Sequence, residues 1–456
     1  MTESKNILLL EYLNLSDTQR NFYFNSKPDL EEEIESRFFY NPKKISWSTN
    51  IQLPLLLQRE GFNYVYTPDN NFHLLAWTYL VWRLPKISVK PEFNKRVEIC
   101  WVDNLAISIV KEAQLYFGNK KIQTFDSFCS CIFHKFIMKD KQKRKLFSKM
   151  IGNRKNLTRW TTVLEPNIIV FPQPWYYSKD EVHAFPLFLC KTKFLKHKYN
   201  FRDKISELIR MRIFTNENQW KELQDVNVTF LEMEQDILSP PDMVGKYINL
   251  SEEEYEYRKE NNVVYFLNDF IKFVEETPKR ASDFVSFDIN IPEPCQCLFF
   301  MAENLNNNKL KKYTEFHATK VEKNSEEANA NGIQKHEKKQ SPFSTIKLVY
   351  GTSEKITEKE IKLLNFIESF YHFPSLTEKL YKGCHGINLC YDLYSPDADT
   401  SIVFKNLSAK LLLRMKDDID GLYRVRIYLY VVKKLEIQKD DCIIYPDVLF
   451  PGLISK

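Results

Sequence analysis

Near the end of the chain the stretches LSAKLLLRM and YRVRIYLYVVK alternate between side-chain classes with a period of two. In the first, Leu407, Ala409, Leu411, Leu413 and Met415 share one face, and Ser408, Lys410, Leu412 and Arg414 the other. In the second, Val425, Ile427, Leu429 and Val431 oppose Arg424, Arg426, Tyr428 and Tyr430. The pattern recurs in FVSFDINI (Val285, Phe287, Ile289, Ile291), EAQLYF (Ala113, Leu115, Phe117) and VNVTF (Val226, Val228, Phe230). Successive side chains of a strand point to opposite faces, so these segments predict half-buried strands, one face in a core and one outside. They do not alternate regularly with helices. That excludes a Rossmann-like parallel sheet and predicts an all-β, mainly antiparallel protein built of sandwiches.

Helical signals are fewer. LSEEEYEYRKENNVVYFLNDFIKFVEE predicts a helix, with Ser251 as N-cap and Glu252, Glu253 and Glu254 in its first turn. EKEIKLLNFIESFYHF fits a helix or a strand. The segment Asn304 to Gln340 is rich in Asn, Lys and Glu, and its composition predicts a mobile surface insertion. A second segment, Met138 to Asn156, is strongly basic. With 456 residues the chain is too long for one ordinary core. Two regions of similar strand content, roughly 45–215 and 222–440, fit a duplicated architecture.

Several function classes recede on composition. The chain has only 10 glycines and neither a GxGxxG nor a GxxxxGK[ST] pattern, which weakens kinase, ATPase and dehydrogenase readings. A net charge of +5 is far from that of a dedicated nucleic-acid domain. Nine cysteines without disulfide-framework spacing, an N-terminus unlike a signal peptide and no apolar run near about 18 residues predict a soluble chain matured in a reducing compartment.

The stretch IIVFPQPWYY poses a sharper question. Ile168 to Phe171 read as a strand, Pro172 and Pro174 stop it, and Trp175, Tyr176 and Tyr177 follow at once. Four stretches, in order, resemble the major capsid proteins of nucleocytoplasmic large DNA viruses. WVDNLAISIVKEAQLYFGNKKIQ (Trp101 to Gln123) is similar to the family's W-V-N/D-N-x-G/A element and the strand and turn that follow. FSKMIGN (Phe147 to Asn153) is similar to Y-x-x-M-I-G-N. VFPQPWYYSKDEVHAFPLFLCKTKFLKHKYNFR (Val170 to Arg202) is similar to V-P-L-P-F-W-F-x-R-x-x-x-x-A-L-P-L and its continuation to F-R. SPFSTIKLVYG (Ser341 to Gly351) is similar to N-P-F-S-T-A-K-L-x-L-N-G. Looser matches are GINLCYDLYSPDADTSIVFKNLSAKLLLRM (Gly386 to Met415) and RVRIYLYVVKKLEI, so the resemblance spans roughly residues 45 to 440. The chain departs from the pattern at some turns, as where Asn119 follows Gly118.

The resemblance implies two tandem eight-stranded jelly rolls (a double jelly roll) with a few short helices in the connecting loops. An N-terminal arm would occupy 1–44, the first jelly roll 45–215, and the second 216–456 with the charged insertion at about 304–340. It implies a non-enzymatic viral capsid protein that self-associates as a homotrimeric, pseudo-hexagonal capsomer and builds an icosahedral shell. Its partners would be copies of itself, neighbouring capsomers, minor capsid proteins and the inner viral membrane, with no specific nucleic acid. It would be made and assembled in the host cytoplasm and reside in the virion. A minor capsid protein or assembly scaffold of the same fold is the alternative. A carbohydrate-binding β-sandwich is the alternative of another class. Trp175, Tyr176, Tyr177 and Phe185 would fill a junction between sheets or between subunits.

No catalytic, cofactor or metal residues are assigned. Cys129 and Cys131, Cys295 and Cys297, and the pair Cys384–His385 lack the spacing of structural zinc sites and read as packed strand thiols. His73, His134, His183 and His372 form no HExxH. Ser108 with Lys111 and Ser344 with Lys347 have an acyl-transfer spacing but lie in or beside strands, where that spacing parts the side chains. Asp417, Asp418 and Asp420 read as a hairpin turn. The basic run Lys139 to Arg159 reads as a solvated loop, or as a contact for DNA, membrane or acidic loops.

Overall fold

The computed structural model describes residues 47–445, apart from 180, 182, 216–218, 261–262, 275–278, 281, 320–338, 352, 374–382, 391–392, 394–400, 406 and 420. The arm expected at 1–44 lies outside the described residues. Sixteen strands carry the architecture. The first eight are β1 (Trp47–Pro54), β2 (Asn63–Thr67), β3 (Leu74–Leu84), β4 (Val110–Phe117), β5 (Lys120–Asp126), β6 (Asn167–Pro172), β7 (Leu195–Phe201) and β8 (Asp242–Leu250). They form antiparallel sheets in the orders β1-β8-β3-β6 and β2-β7-β4-β5. The second eight are β9 (Val263–Val274), β10 (Phe284–Ile289), β11 (Pro294–Asn304), β12 (Phe343–Tyr350), β13 (Ser353–Glu360), β14 (Cys384–Asn388), β15 (Ala409–Met415) and β16 (Tyr423–Gln438). Their sheets run β9-β16-β11-β14 and β10-β15-β12-β13. The strand order is the same in both halves and is that of a jelly roll.

The expected boundary at 215/216 does not coincide with the pairing. β8 inserts between β1 and β3, so the first sandwich is complete only at Leu250. Short strands at Trp220–Glu222 and Leu231–Glu232 also pair with strands of the first half. Five helices matter below: α1 (Leu105–Ile109), α2 (Ser127–Ile132), α3 (Lys141–Met150), α4 (Glu252–Glu260) and α5 (Ile361–Tyr371). α5 is the segment whose period fitted both helix and strand.

Three local expectations are corrected. The helix expected over residues 251–276 ends at Glu260, and β9 follows. The residues VVYFLNDFIKFV are β-branched and aromatic and suit a pleated, half-buried surface better than a helix. VNVTF is a 3₁₀ turn over Val228–Phe230, because the Asn227 side chain accepts the Thr229 N–H at 3.1 Å and offers the backbone a local alternative to a ladder. The face of β16 expected outside is buried at Arg426, Tyr428 and Tyr430. The sheet it belongs to is sandwiched between its own core and the first jelly roll. β11 is buried along its whole length for the same reason.

The insertion expected at 304–340 is divided. Its first limb is packed: Phe316 and Ala318 are buried, and residues 318–319 pair with 339–340. Residues 320–338 lie outside the described ones.

Candidate assembly site

The stretch IIVFPQPWYY ends at the seam between the two jelly rolls. β6 pairs with β3 through Pro172, which lies opposite Tyr79 at the sheet edge, where proline costs no ladder bond. The chain then turns inward. Trp175 is buried, packs 4.5 Å from the Phe125 ring, and donates its indole N–H to the Gln173 side-chain oxygen at 3.0 Å. The Tyr177 hydroxyl meets His197 Nε2 at 2.6 Å, and Tyr176 packs against Tyr265 of β9 at 5.5 Å. These rings therefore fill the junction within one chain. Phe185 is buried too, edge-on to Phe117 of β4.

A polar seam runs beside them. Gln123 of β5 accepts the Tyr176 N–H at 3.0 Å and donates to the Asn268 carbonyl of β9 at 3.0 Å, tying both jelly rolls to the aromatic corner. Asp126 caps α2 by accepting the Cys129 N–H at 2.9 Å. Its other oxygen accepts from Tyr428 at 2.8 Å and Lys272 at 3.0 Å across the seam. Arg426 lies 4.3 Å over the Phe128 ring and pairs with the buried Glu303 at 2.6 Å. Parting the two surfaces would strand the Asp126 carboxylate and uncover the Arg426–Glu303 pair, which lies within the second jelly roll.

The two stretches VDN and MIGN meet each other. Asn104 takes a left-handed conformation with φ 49°, which asparagine tolerates. Its N–H donates to the Asn153 side-chain oxygen at 3.0 Å, and the two side-chain amides also bond to each other. Between them Gly152 sits at φ +106°, where a Cβ would lie 3.1 Å from that of Leu105. The Asn104 amide also reaches Thr314 of the insertion's folded limb at 2.9 Å. Arg202, the last residue of the NFR match, donates to the Ser108 carbonyl and lies 4.2 Å over the Tyr313 ring.

The remaining sequence candidates disperse. All nine cysteines are buried, and burial pushes the thiols of Cys131 and Cys100 up to about 12. Cys129 and Cys131 lie on helix α2, not on a strand: the Asp126 cap turns the chain into a helix there. Cys295 and Cys297 enter different cores, because a bulge at Gln296 shifts the register between them. Among the described residues no group of three or more His, Cys, Asp or Glu is placed to hold a metal. Ser108 is fully buried in α1 and donates to the Asp103 carbonyl, whereas Lys111 is exposed on β4. Ser344 donates to the Arg414 carbonyl at 3.1 Å. Asp417 and Asp418 do not sit in a hairpin. They lie where the chain leaves β15 for β16, strands of different sheets. Asp420 lies outside the described residues.

The basic run is helical rather than a loop. Asp140, its lone acid, accepts the N–H groups of Gln142 and Lys143 at 2.7 and 3.1 Å and starts α3. Arg144 and Phe147 are buried on its inner face, while Lys141, Lys143 and Lys145 are exposed. That cap was legible in the sequence as an acid before a charged run.

Comparison with known proteins agrees with this geometry. The family model for the major capsid protein N-terminus matches residues 72–260. The major capsid protein of Lymphocystis disease virus 1 is 22% identical over 382 residues, covering 79% of this chain and 78% of the relative. In sequence the chain is similar to viral major capsid proteins along most of its length. In fold it is similar to VP54 of PBCV-1, with a TM-score of 0.67 at 11% identity over 88% of this chain and 97% of that one. The Faustovirus major capsid protein gives 0.65 at 8% identity over 89% and 94%. Its relatives are structural proteins of virions.

Two surfaces among the described residues expose apolar side chains, the first of them mixed with the Arg83–Asp242 ion pair. The outer face of the β1-β8-β3-β6 sheet sets Val170 beside Val81, and Tyr79 between Pro172 and Val244, all part-exposed. At the other end of the molecule's strand order, α5 exposes Leu363, Phe366, Phe370 and Tyr371. The sequence reading missed this stripe, because at EKEIKLLNFIESFYHF it did not separate helix from strand. A 3.6-residue period would have placed Ile361, Leu364 and Glu368 on a buried face, and Leu363, Phe366 and Phe370 on the opposite one.

Proposed function

We propose that the chain is a shell-building subunit that self-associates as a homotrimer of pseudo-hexagonal outline and tiles an icosahedral capsid. The reading rests on the repeated strand order. Each chain carries two equivalent jelly rolls, so three chains supply six around a ring, and a closed ring buries the sides of every sandwich. Function then lies in association rather than catalysis. The virion is its destination and the host cytoplasm its place of assembly. Neighbouring capsomers, minor capsid proteins and the inner membrane are its partners. Neither a DNA contact nor a catalytic step enters this reading.

Sedimentation equilibrium of the purified full-length chain at micromolar concentration tests it. A particle near three times 54.4 kDa is expected. A species that stays monomeric would overturn the capsomer role and favour a minor capsid protein or scaffold of the same fold.

A further inference from the structure

We propose that the cleft where the two jelly rolls meet beside β5 binds a small zwitterion, a free amino acid with a short aliphatic chain. Thr124 and Lys121 of the first jelly roll and Asp269 and Glu293 of the second hold it, so that the guest ties the seam together.

The cleft has a volume of about 170 Å³ and draws its walls from both halves of the chain. Lys121, Ile122 and Thr124 come from β5 of the first jelly roll. Asp269 of β9, Glu293 just before β11 and Lys433 of β16 come from the second. Two polar atoms of these residues are left over by the fold. Asp269 is only 6% exposed. Its Oδ2 accepts from the Lys433 ammonium at 2.7 Å, yet its Oδ1 is buried and has no hydrogen-bond partner among the described residues. Thr124 Oγ1 is buried and unpartnered in the same way. Buried oxygens of this kind are nearly always paired, and a desolvated one without a partner is costly. The space beside them is far larger than the about 10–15 Å³ that a single water needs.

Charge selects the guest. Lys433 already neutralises Asp269. What stays open is one carboxylate, Glu293, and one ammonium, Lys121, neither with an ion-pair partner among the described residues. A metal cation fits poorly, because the Lys433 ammonium lies against the same carboxylate and no third acid joins the group. A simple anion leaves Asp269 Oδ1 without a donor. A diamine sets a cation against Lys121. A molecule with an ammonium at one end and a carboxylate at the other meets every requirement. Its three N–H groups serve Asp269 Oδ1, Thr124 Oγ1 and Glu293, and its carboxylate accepts from Lys121. Its carbons lie against Ile122 and against Ile444, which belongs to the short strand paired with β16. The guest touches β5 on one side of the seam and β9 on the other, so binding favours the joined state of the two jelly rolls.

Saturation-transfer NMR of the full chain titrated with alanine or with 4-aminobutyrate tests this. Propylammonium and propionate serve as one-ended controls. At least one of the two amino acids should bind saturably, with a Kd of about 1 mM or lower, and which one does separates an α- from an ω-amino acid. The one-ended compounds should bind ~10-fold more weakly. Thr124→Val and Lys121→Met should each weaken binding ~10-fold or more, because each deletes a hydrogen bond to a charged group. Valine keeps the shape of threonine and Lys121 is exposed, and melting curves check that each variant folds. Should either fail to fold, Glu293→Gln, at a part-exposed position, takes its place. No saturable binding of either amino acid at about 10 mM would overturn the site and leave its two unpartnered atoms to water. One-ended compounds that bind as tightly, or unchanged affinity in the folded variants, would overturn the two-ended guest.

Discussion

At the scale of single residues, the corner after β6 is the most consequential. Trp175 fills space between β5 and β7, with Phe125 and Tyr199 against its ring. Trp175→Ala should cost about 3–5 kcal/mol, the usual loss for a buried large aromatic, read from denaturant melts. An unaltered melt would mean that the ring is not part of the core. The buried histidines make a second prediction. Burial holds His197 and His385 down to about 3 and His134 to about 4. Their folded values lie below the unfolded value of 6.5, so the stability of the neutral rings is complete above pH 6.5 and is lost as pH falls toward 3. The slope is about 1.4 kcal/mol per pH unit for each ring. Glu368 acts with the opposite sign. Burial raises it to about 7, so its share of stability falls as pH rises from 4.5 to 7. Three rings outweigh one carboxyl, so urea midpoints should drop between pH 6.5 and 5. A flat profile there would count against neutral buried imidazoles.

At the scale of elements, the charged insertion separates into parts with different expected behaviour. Gly383, just before β14, has φ +87°, and a Cβ there would lie 1.7 Å from the Phe316 carbonyl oxygen. No side chain fits against that backbone. Gly383→Ala should therefore lower stability by ~2 kcal/mol or more in thermal melts, since both the conformation and the contact exclude it. Deletion of 321–337, whose composition offers little to bury, should leave the melting temperature within a few degrees of the parent. A large drop on that deletion would assign those residues to a core or an interface. The same contrast explains the segment at 251–276. Its acidic start is helical, yet from Val263 the alternation of Val263, Tyr265 and Leu267 toward the core makes it a strand. The strand residues are as legible as the helix start, but a single period was read across both.

At the scale of the molecule, the core of the first jelly roll continues across the seam onto one face of the second, whose own interior is a separate cluster. Residues of the first half, such as Phe125, Phe136 and Tyr176, join Tyr265, Phe299 and Tyr428 of the second. Calorimetry should accordingly give one cooperative transition. Two separable transitions would mean that the seam contributes little. Sequence alone determined that the chain is a set of antiparallel sandwiches, because a period of two is a local property that Leu411, Leu413 and Met415 carry by themselves. It also determined, through order and spacing, which family the chain resembles, and it marked the proline corner where β6 must stop. What tertiary structure decided was which polar face is not a surface. Arg426 and Tyr428 alternate as solvent-facing residues do, and only the first jelly roll lying across them makes them interior. It likewise decided that β8 closes the first sandwich from beyond residue 215, because strand pairing joins residues far apart and leaves no mark on local pattern. The open stripe on α5 belongs to the same class: whether an apolar face is core or contact depends on what else the fold brings to it.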